Sequence, residues 1–380
     1  MMYQQIKHLQ ENGIPLKQIV YVNFEDERLL ELSADDLNLI LEIGLEMSGA
    51  DNKPYLFLDE IQNVVGWEKF VRRIADMKYR IHITGSNSKM LSSEIASTLG
   101  GRFMRVDIYP YSFPEYLAAQ GKDKNYLEVL STKDRAEVVG MCDQYVKYGA
   151  FPELVDIRNK REYLNSIYQT IYLGDIITRN KITNDFAVRL ILKKIAESVT
   201  KPLSFNRLSN ILKSAGAVLG KQTVINYVGY MMDSYLLFTL QNYAAKLVEK
   251  ETSPKYYFMD TGLLGLMLMD CSSTQLENLV AIELIRRYGR ENVFYFEKKV
   301  EIDFYVPEEK LAIQVSLQVL DQIDTREREI GAFVKLKNFI GDATCLLITN
   351  SEEEELDYDG VHVSVVPVWK WLLQKRKQDI

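Results

Sequence analysis

The sequence predicts an α/β protein of several modules, and three patterns support this fold class. Strands alternate with helices over the first third of the chain, which is typical of a parallel sheet. Three helices and a two-stranded ribbon follow in the middle, and a helix followed by short strands occupies the last third. Since 380 residues exceed one ordinary hydrophobic core, two or three domains are expected.

The composition excludes several classes of protein. Hydrophobic residues make up 47% and charged residues 26%, a balance typical of a folded globular chain rather than a disordered one. No apolar stretch approaches the roughly 20 residues that span a bilayer, and no signal peptide opens the chain. The three cysteines and three histidines are scattered, so neither a disulfide framework nor a zinc site is indicated. We therefore expect a cytoplasmic protein without a membrane partner.

The first third is predicted to alternate between helices and strands. The predicted order is helix 2–11, strand 18–24, helix 34–48, strand 55–58, helix 67–75 and strand 80–84. Functional residues of a parallel sheet gather at the carboxyl ends of its strands. Three such ends carry polar groups here, namely 25–26, 59–60 and 86–87.

The pair Asp59-Glu60 is the strongest functional signal. It follows four apolar residues, 55–58, which are typical of a strand buried on both faces. A buried strand that ends in two carboxylates is how P-loop ATPases build the Walker B site. There the first acid holds Mg²⁺, usually through water, and the second orients or deprotonates the attacking water. The alternative is that the acids cap the helix that follows.

Two further positions match catalytic roles in such a site. Ser86 and Asn87 follow the next strand, where a polar sensor contacts the γ-phosphate, although Gly-Ser-Asn-Ser is also an ordinary turn. Arg102 matches an arginine finger that serves a nucleotide on its own or a neighbouring subunit. The alternative for Arg102 is a surface arginine in a turn.

These strand ends and further segments resemble a family of prokaryotic AAA-like ATPases with a C-terminal domain of unknown function 4143. The matching segments cover nearly the whole chain: 22–26, 57–64, 66–68, 83–88, 101–102, 109–113, 149–153, 325–329 and 366–372. The resemblance implies a nucleotide-binding P-loop sheet in which Asp59 holds the metal and Glu60 acts catalytically. It also implies ATP and Mg²⁺ as cofactors.

The motif G-x-x-x-x-G-K-[ST] occurs nowhere in the 380 residues. The resemblance places that Walker A loop and its strand just ahead of the helix at Met2, so we expect the sheet to lack both. Either Met1 is an internal residue of a longer protein or the loop has been lost, and both alternatives stay open. Without the loop's N–H groups and lysine, we expect weak or absent ATP and Mg²⁺ binding and negligible hydrolysis.

The middle of the chain is basic although the whole protein carries a net charge of −7. Between residues 181 and 250 there are ten basic and four acidic residues, a local charge of +6. Three helices followed by a two-stranded ribbon predict a winged helix. The third helix would expose polar residues suited to DNA, and the candidates are Lys213, Lys221, Gln222, Thr223 and Asn226. The alternative is a winged helix used only for packing or for protein contacts.

The last third resembles the core of restriction-like nucleases, with a helix that carries Glu277 and Glu283 before two strands. An active site of this type needs an Asp and then Glu-x-Lys on the next strand, so that carboxylates hold Mg²⁺ and lysine assists the nucleophile. Asp303 matches the first position, but Gln314 and Ser316 occupy the other two. We therefore expect a degenerate, inactive site. The acidic run 352–355 is expected to be a solvated loop.

These predictions divide the chain into four parts. They are a truncated ATPase core at 1–120, a helical connector at 121–180, a winged helix at 181–260 and a degenerate nuclease-like domain at 261–380. The predicted function is Mg-ATP hydrolysis in a full-length form and little or none in these 380 residues. The alternative is a non-catalytic module that binds DNA or protein through the winged helix. The predicted partners are ATP, DNA and, if Arg102 serves a neighbouring subunit, a second copy of the chain.

Overall fold

The computed structural model of the chain describes residues 1–29, 31–49, 52–86, 98–101, 103–122 and 131–374. The chain divides into two compact units, Met1–Asp107 and Ile108–Ile380. Two of the predicted site residues, Asn87 and Arg102, lie outside the described residues.

The first unit is built on a parallel sheet with the strand order β1-β2-β3. Its described helices and strands are α1 (Met2–Glu11), β1 (Ile19–Asn23), α2 (Leu37–Ser48), β2 (Tyr55–Asp59), α3 (Trp67–Asp76) and β3 (Arg80–Ile83). Short 3₁₀ turns lie at Leu16–Gln18, Glu27–Leu29 and Ile61–Asn63. In the register, Tyr21 pairs with Phe57, and Phe57 pairs with His82 on the other side. The prediction of a parallel α/β sheet is confirmed.

The central strand β2 buries both of its faces. Leu56 and Leu58 pack with α2 and α3, whereas Tyr55 and Phe57 pack with α1 around Met2. Side chains of a strand alternate between the two faces, so helices are needed on both sides of this sheet. Polar side chains are therefore confined to the end of β2.

The second unit begins with helices and continues into a large mixed sheet. Its described helices are α4 (Phe113–Ala119), α5 (Thr132–Tyr148), α6 (Lys160–Gln169), α7 (Asp185–Ala196), α8 (Phe205–Ser214), α9 (Lys221–Asp233), α10 (Leu247–Thr252), α11 (Thr261–Met267), α12 (Ser272–Tyr288), α13 (Ile323–Ile340) and α14 (Val368–Leu373). A π-helical segment at Thr170–Thr178 continues α6, and 3₁₀ turns lie at Pro152–Val155 and Arg290–Asn292.

The described strands of the second unit form one sheet with the order β10-β11-β9-β8-β7-β6-β4-β5. They are β4 (Leu237–Asn242), β5 (Lys255–Phe258), β6 (Phe294–Glu297), β7 (Glu301–Val306), β8 (Leu311–Val315), β9 (Thr344–Thr349), β10 (Glu354–Tyr358) and β11 (Val361–Pro367). Strands β6, β7 and β8 are antiparallel neighbours, whereas β8, β9 and β11 run parallel. The parallel strands β8 and β9 therefore end at the same edge of the sheet.

Helix α12 is the central helix of the second unit. All residues from Gln275 to Ile285 are buried, including polar ones. Asn278 shows how such a residue is accommodated, because its amide accepts from the N–H of Phe258 at 2.8 Å and donates to the carbonyl of Phe258 at 2.9 Å. A buried amide that is satisfied in this way fixes β5 against the helix.

Asp260 joins distant parts of the second unit. It is 2% exposed, and its carboxylate accepts from the N–H groups of Ala150 and Gly262, each at 2.8 Å. Burial raises the pKa of Asp260 to about 6, although these hydrogen bonds act in the opposite direction. The carboxylate thus caps α11 and holds the turn that follows α5.

The acidic run at 352–355 differs from the expected solvated loop. Glu354 and Glu355 lie in β10, where they pair with β11 in antiparallel register. The carboxylate of Glu352 accepts from the N–H groups of Val319 and Leu320. The loop prediction was wrong because charged residues suit the exposed edge strand of a sheet as well as a loop.

Among the described residues, no helix combines the length and the apolar character that a membrane span requires.

The contact of Gly149 with Asp260 yields a stability prediction. Gly149 has φ +78°, and a Cβ added there would overlap both carboxylate oxygens of Asp260. We expect Gly149→Ala to lower the free energy of unfolding by about 3 kcal/mol or more, through backbone strain and displacement of the carboxylate. Urea denaturation measures the loss.

Gly121→Ala is the matched control, because Gly121 has φ +80° and nothing lies within 4 Å of its added Cβ. Its expected loss is about 1 kcal/mol, from the positive φ alone. Equal losses in the two variants would show that Asp260 does not hold this turn.

Candidate functional site

The carboxyl edge of β2 brings together side chains from all three strands of the first unit. Asp59 is the last residue of β2, and its Oδ2 accepts a hydrogen bond from the Tyr21 hydroxyl at 2.6 Å. The hydroxyl of Thr84, which follows β3, donates to Asp59 Oδ1. Burial and the bond to Asp59 raise the pKa of Tyr21, so its phenol keeps the proton that it donates. The Asp59 carboxylate is thus fixed in orientation by two neutral donors.

Glu60 leaves the strand in an uncommon backbone conformation. Its φ and ψ are 54° and 39°, in the left-handed region that few residues other than glycine, asparagine and aspartate adopt. Its N–H donates to Thr84 Oγ1 at 3.1 Å, so Thr84 contacts both acidic residues. A strained position of this kind persists only where the surroundings hold it, and such positions concentrate at functional sites.

Gln62 connects Glu60 with the end of β3. Its Nε2 donates to Glu60 Oε2 at 2.5 Å and lies 3.5 Å from Ser86 Oγ. Its Oε1 is buried and has no hydrogen-bond partner in the described part of the chain. The structure thus brings Asp59, Glu60 and Ser86 to one edge, as predicted from the order of the strands.

This edge presents oxygen atoms of the kind that bind a hard divalent cation. Carboxylate and hydroxyl oxygens are the groups that Mg²⁺ prefers, and it commonly keeps several waters in such sites. Within the described ranges, no group of three or more His, Cys, Asp or Glu side chains forms a ready metal cluster. A cation here would therefore depend on water and on the substrate for its remaining ligands.

The third polar strand end has a different character. Asp26 forms an ion pair with Arg28, and hydrogen bonds from the Arg28 side chain lower the pKa of Asp26 to about 2. Asn23 Oδ1 accepts from the N–H of Glu25 at 2.9 Å. These groups satisfy one another within their own turn.

In the second unit, a buried lysine lies among acidic side chains. Lys255 on β5 is 0% exposed, and its Nζ donates to Glu301 Oε1 at 3.0 Å. Although burial alone would lower the pKa of Lys255, the carboxylates around it, Glu277 first, raise it. Tyr257 donates its hydroxyl to Glu277 Oε1 at 2.9 Å. The lysine is therefore a buried cation that compensates part of the charge of this acidic cluster.

Asp303 and Gln314 lie opposite each other on β7 and β8. Gln314 Oε1 accepts from the N–H of Asp303 at 2.9 Å, and Asp303 Oδ2 accepts from the N–H of Val315 at 2.9 Å. Burial and the neighbouring Glu277 raise the pKa of Asp303 well above its usual range. Of the nuclease-like candidates, Glu277, Asp303 and Gln314 are therefore brought together.

Glu283 is held elsewhere on α12. Its carboxylate accepts from Arg287 Nε at 2.8 Å and lies 3.5 Å from Arg286 Nη1. Arg287 also donates to the carbonyl of Trp371, so this acid helps to pack the C-terminal helix α14. The structure gives Glu283 a packing role within this part of the fold.

The DNA-binding candidates lie on and beside α9. Lys221, Gln222 and Asn226 are exposed, and Gln222 donates to Asn226 at 3.1 Å. Thr223 is half-buried, and Lys213 is exposed near the end of α8. Helix α9 starts at Lys221 without a side-chain cap, and its apolar residues Val224 and Val228 face the core.

Three residues of these sites were not found by sequence reasoning. Tyr21 and Thr84 contact Asp59 across neighbouring strands, and Lys255 reaches the acidic cluster from β5. The one available signal for Lys255 was a lysine inside an otherwise aromatic strand segment, Lys-Tyr-Tyr-Phe.

Two family models match the chain. Residues 1–117 match an AAA domain, and residues 141–296 match a domain of unknown function, number 8612. The first match covers the whole first unit, with the Asp59 edge inside it. The domain of unknown function 4143 that the resemblance implied stays a prediction.

Three relatives are uncharacterized proteins. MJ1544 of Methanocaldococcus jannaschii is 35% identical over 93% of this chain and 82% of its own length. A protein of Haemophilus influenzae is 31% identical over 97% of this chain and 89% of its own length. MJ1637 of M. jannaschii is 25% identical over 82% of this chain and 72% of its own length.

A solved structure described as the Walker-type ATPase PABY2304 of Pyrococcus abyssi also matches. The match covers 70% of this chain and 75% of the P. abyssi chain, at 13% sequence identity and a TM-score of 0.36. That score is too low to carry an argument about the fold.

The buried cluster yields a prediction on pH-dependent stability. Lys255→Met removes the cation, so the pKa values of Glu277 and Asp303 rise further. We expect a loss of about 3–5 kcal/mol at pH 7. A carboxyl group whose pKa is higher in the folded than in the unfolded state lowers the free energy of unfolding as the pH rises. The stability lost in Lys255→Met is therefore smallest below pH 4 and grows above it.

Lys201→Met is the control, since Lys201 is exposed and the structure shows no ion pair for it in the described residues. Urea unfolding of both variants between pH 4 and 8 tests the effect. A loss in Lys255→Met that does not vary with pH would show that the lysine does not compensate these carboxylates.

Proposed function

The chain belongs to an AAA-like ATPase family together with the uncharacterized proteins of M. jannaschii and H. influenzae, and on this premise we propose that it binds Mg-ATP at the carboxyl edge of β2. The observation that carries the proposal is the Asp59 carboxylate, fixed between Tyr21 and Thr84 beside Glu60. In this proposal Asp59 holds the cation through water, and Glu60 orients or deprotonates the attacking water.

The residues at this edge fit Mg²⁺ better than they fit the phosphates of ATP. Asp59 provides carboxylate oxygen atoms for the cation, and Ser86, whose Oγ lies 3.5 Å from Gln62 Nε2, is the proposed polar sensor. The motif G-x-x-x-x-G-K-[ST] does not occur in the 380 residues, so in this proposal the β- and γ-phosphates lack the backbone N–H groups and the lysine that the motif supplies. We therefore propose weak binding and negligible hydrolysis by this polypeptide, and turnover only where such a loop completes the site.

Bound Mg²⁺ would neutralise charge that develops on the phosphate oxygens. The chain's own contribution is to hold the Asp59 carboxylate in one orientation and to keep Glu60 beside it. Tyr21 and Thr84 act as positioning residues, because both of their hydroxyl groups donate to the Asp59 carboxylate. Asn87 and Arg102 keep their proposed roles as sensor and arginine finger.

Substitution of Asp59 tests the site directly. Asp59→Asn keeps the shape but removes the charge, so we expect Mg²⁺-dependent binding of ATP to weaken by about tenfold or more. Titration calorimetry with and without Mg²⁺ measures the effect. Asp35→Asn is the control, because Asp35 is an exposed acid of the same unit. If Asp59→Asn leaves the Mg²⁺-dependent binding unchanged, the site is not at this edge.

Turnover is a separate measurement. We expect phosphate release from Mg-ATP by residues 1–380 to stay at the level of buffer alone, because the sequence lacks the motif G-x-x-x-x-G-K-[ST] that holds the phosphates in such ATPases. Release above that level, abolished by Glu60→Gln, would show that the polypeptide holds the phosphates by other residues.

A second candidate function is DNA binding through a winged helix. Helices α7, α8 and α9 followed by the antiparallel pair β4 and β5 support this assignment. The specific observation is the exposed row Lys221, Gln222 and Asn226 at the start of α9. In this proposal the start of α9 enters the major groove, and Lys213 contacts phosphate.

Charge reversal tests the DNA proposal. We expect the double variant Lys213→Glu and Lys221→Glu to weaken binding of duplex DNA by at least about tenfold at low salt, because two phosphate contacts are lost and repulsion is added. The matched control is Lys133→Glu with Lys335→Glu, two exposed lysines on other helices. Equal affinities for all three proteins, measured by fluorescence anisotropy, would remove the proposal.

The acidic cluster is proposed to be an inactive nuclease-like centre. Gln314 brings no charge, and its amide is occupied by the backbone of Asp303 and Glu301. Ser316 hydrogen-bonds within its own turn and cannot supply a cation. Lys255 compensates part of the remaining acidic charge, and burial raises the pKa values of Glu277 and Asp303, which favours their protonated forms over binding of a divalent ion.

A further inference from the structure

The second unit contains a cleft of about 1150 Å³ that the functions above do not use. It lies at the carboxyl ends of β8 and β9, where Val315, Ser316, Asn350 and Ser351 form one wall. Ligands of open α/β sheets bind in crevices outside the carboxyl ends of parallel strands. The volume lies slightly above the range found for small-molecule sites, about 300–1,000 Å³.

Three basic side chains line the cleft, from three different helices. Lys147 lies in the last turn of α5, Arg161 lies near the start of α6, and Arg328 lies on α13. Arg328 pairs with Glu329, whereas no hydrogen bond or ion pair of Arg161 is found among the described residues. Two acids also line the cleft, Asp143 and Asp270, so its basic side chains are in excess by one.

Two long helices begin at this cleft. Cys271, Ser272 and Ser273 at the start of α12 line it, as do Gln322 and Thr325 at the start of α13. Neither helix has a side-chain cap; Asp324 lies in the first turn of α13, whereas the first turn of α12 contains no acidic residue. Unpaired N–H groups and the helix dipole favour a negatively charged group at such ends.

The rest of the wall is apolar. Leu266, Met267, Leu268 and Met269, which end α11 and enter the following turn, face the cleft together with Leu164. A ligand with a charged end and a flat or apolar body would satisfy both parts of the lining. A phosphate alone would leave this apolar wall without a partner.

We propose that the cleft binds a small phosphorylated ligand of nucleotide size, with its phosphate between the starts of α12 and α13 and Arg161. Its body lies along the apolar wall formed by residues 266–269. The site belongs to the second unit and is independent of the Asp59 edge. Its ligand need not be the nucleotide that the first unit binds.

The test uses AMP as the probe, with adenosine as the control that lacks phosphate. Titration calorimetry is carried out with the 380-residue protein at low salt in buffer with EDTA, so that no Mg²⁺ supports the Asp59 edge. We expect AMP to bind and adenosine to bind at least about tenfold more weakly, because the phosphate makes the charged contacts.

Two variants locate the site. Ser273→Asp places a negative charge in the first turn of α12, which favours the helix but repels phosphate. Arg161→Gln removes an arginine without an observed partner. We expect each to weaken AMP binding by about tenfold, whereas Arg158→Gln and Lys335→Gln, exposed residues outside the cleft, leave it unchanged.

Cys271 gives an independent signal, because it lines the cleft and is less buried than the other two cysteines, Cys142 and Cys345. We expect AMP to slow alkylation of Cys271 by iodoacetamide in the wild-type protein and not in Ser273→Asp. The proposal is overturned if AMP does not bind, if adenosine binds as tightly, or if Arg158→Gln loses as much affinity as Arg161→Gln. Asp59→Asn leaves AMP binding unchanged if the two sites are independent.

Discussion

The central constraint in the first unit is that β2 is buried on both faces. Leu56, Phe57 and Leu58 are fully buried between helices, so a charged side chain within the strand would lose its hydration without a partner. The charges therefore begin where the strand ends, at Asp59 and Glu60. The parallel neighbours β1 and β3 place Tyr21 and Thr84 at the same edge, and the hydroxyl groups of these two residues donate to the Asp59 carboxylate. The geometry of the proposed nucleotide site follows from this burial.

In the second unit, too, a buried charge needs a partner, but the partners differ. The buried Glu277 is compensated by the buried cation Lys255. The buried Asp260 carboxylate instead accepts hydrogen bonds from backbone N–H groups. Where the parallel strands β8 and β9 of this unit end, the polar groups face an open cleft instead. Compensated charges stabilise the fold, whereas the starts of α12 and α13 at the cleft carry no side-chain cap, and our proposal assigns them to a ligand.

Local patterns predicted much of this fold. Helix α1 has the predicted bounds, α3 and β3 differ by a residue at one end, and Ser204 caps α8 as expected. The contacts of Asp59 with Tyr21 and Thr84 depend on strand register across 38 and 25 residues, which no local pattern contains. Lys255 reaches the acids only because β4 joins the sheet beside β6. Sequence patterns did not predict the cleft for the same reason, since it combines residues of five helices with two strand ends.

The most direct test of the nucleotide site is paramagnetic broadening by Mn²⁺, which occupies oxygen sites of the Mg²⁺ type. Amide signals of the isotope-labelled protein are recorded with Mn²⁺ and ATP. The proposed site predicts selective broadening at residues 59–62 and 84–86, beside the Asp59 carboxylate, and its loss in Asp59→Asn. Broadening that appears elsewhere, or persists unchanged in Asp59→Asn, would contradict a cation at this edge.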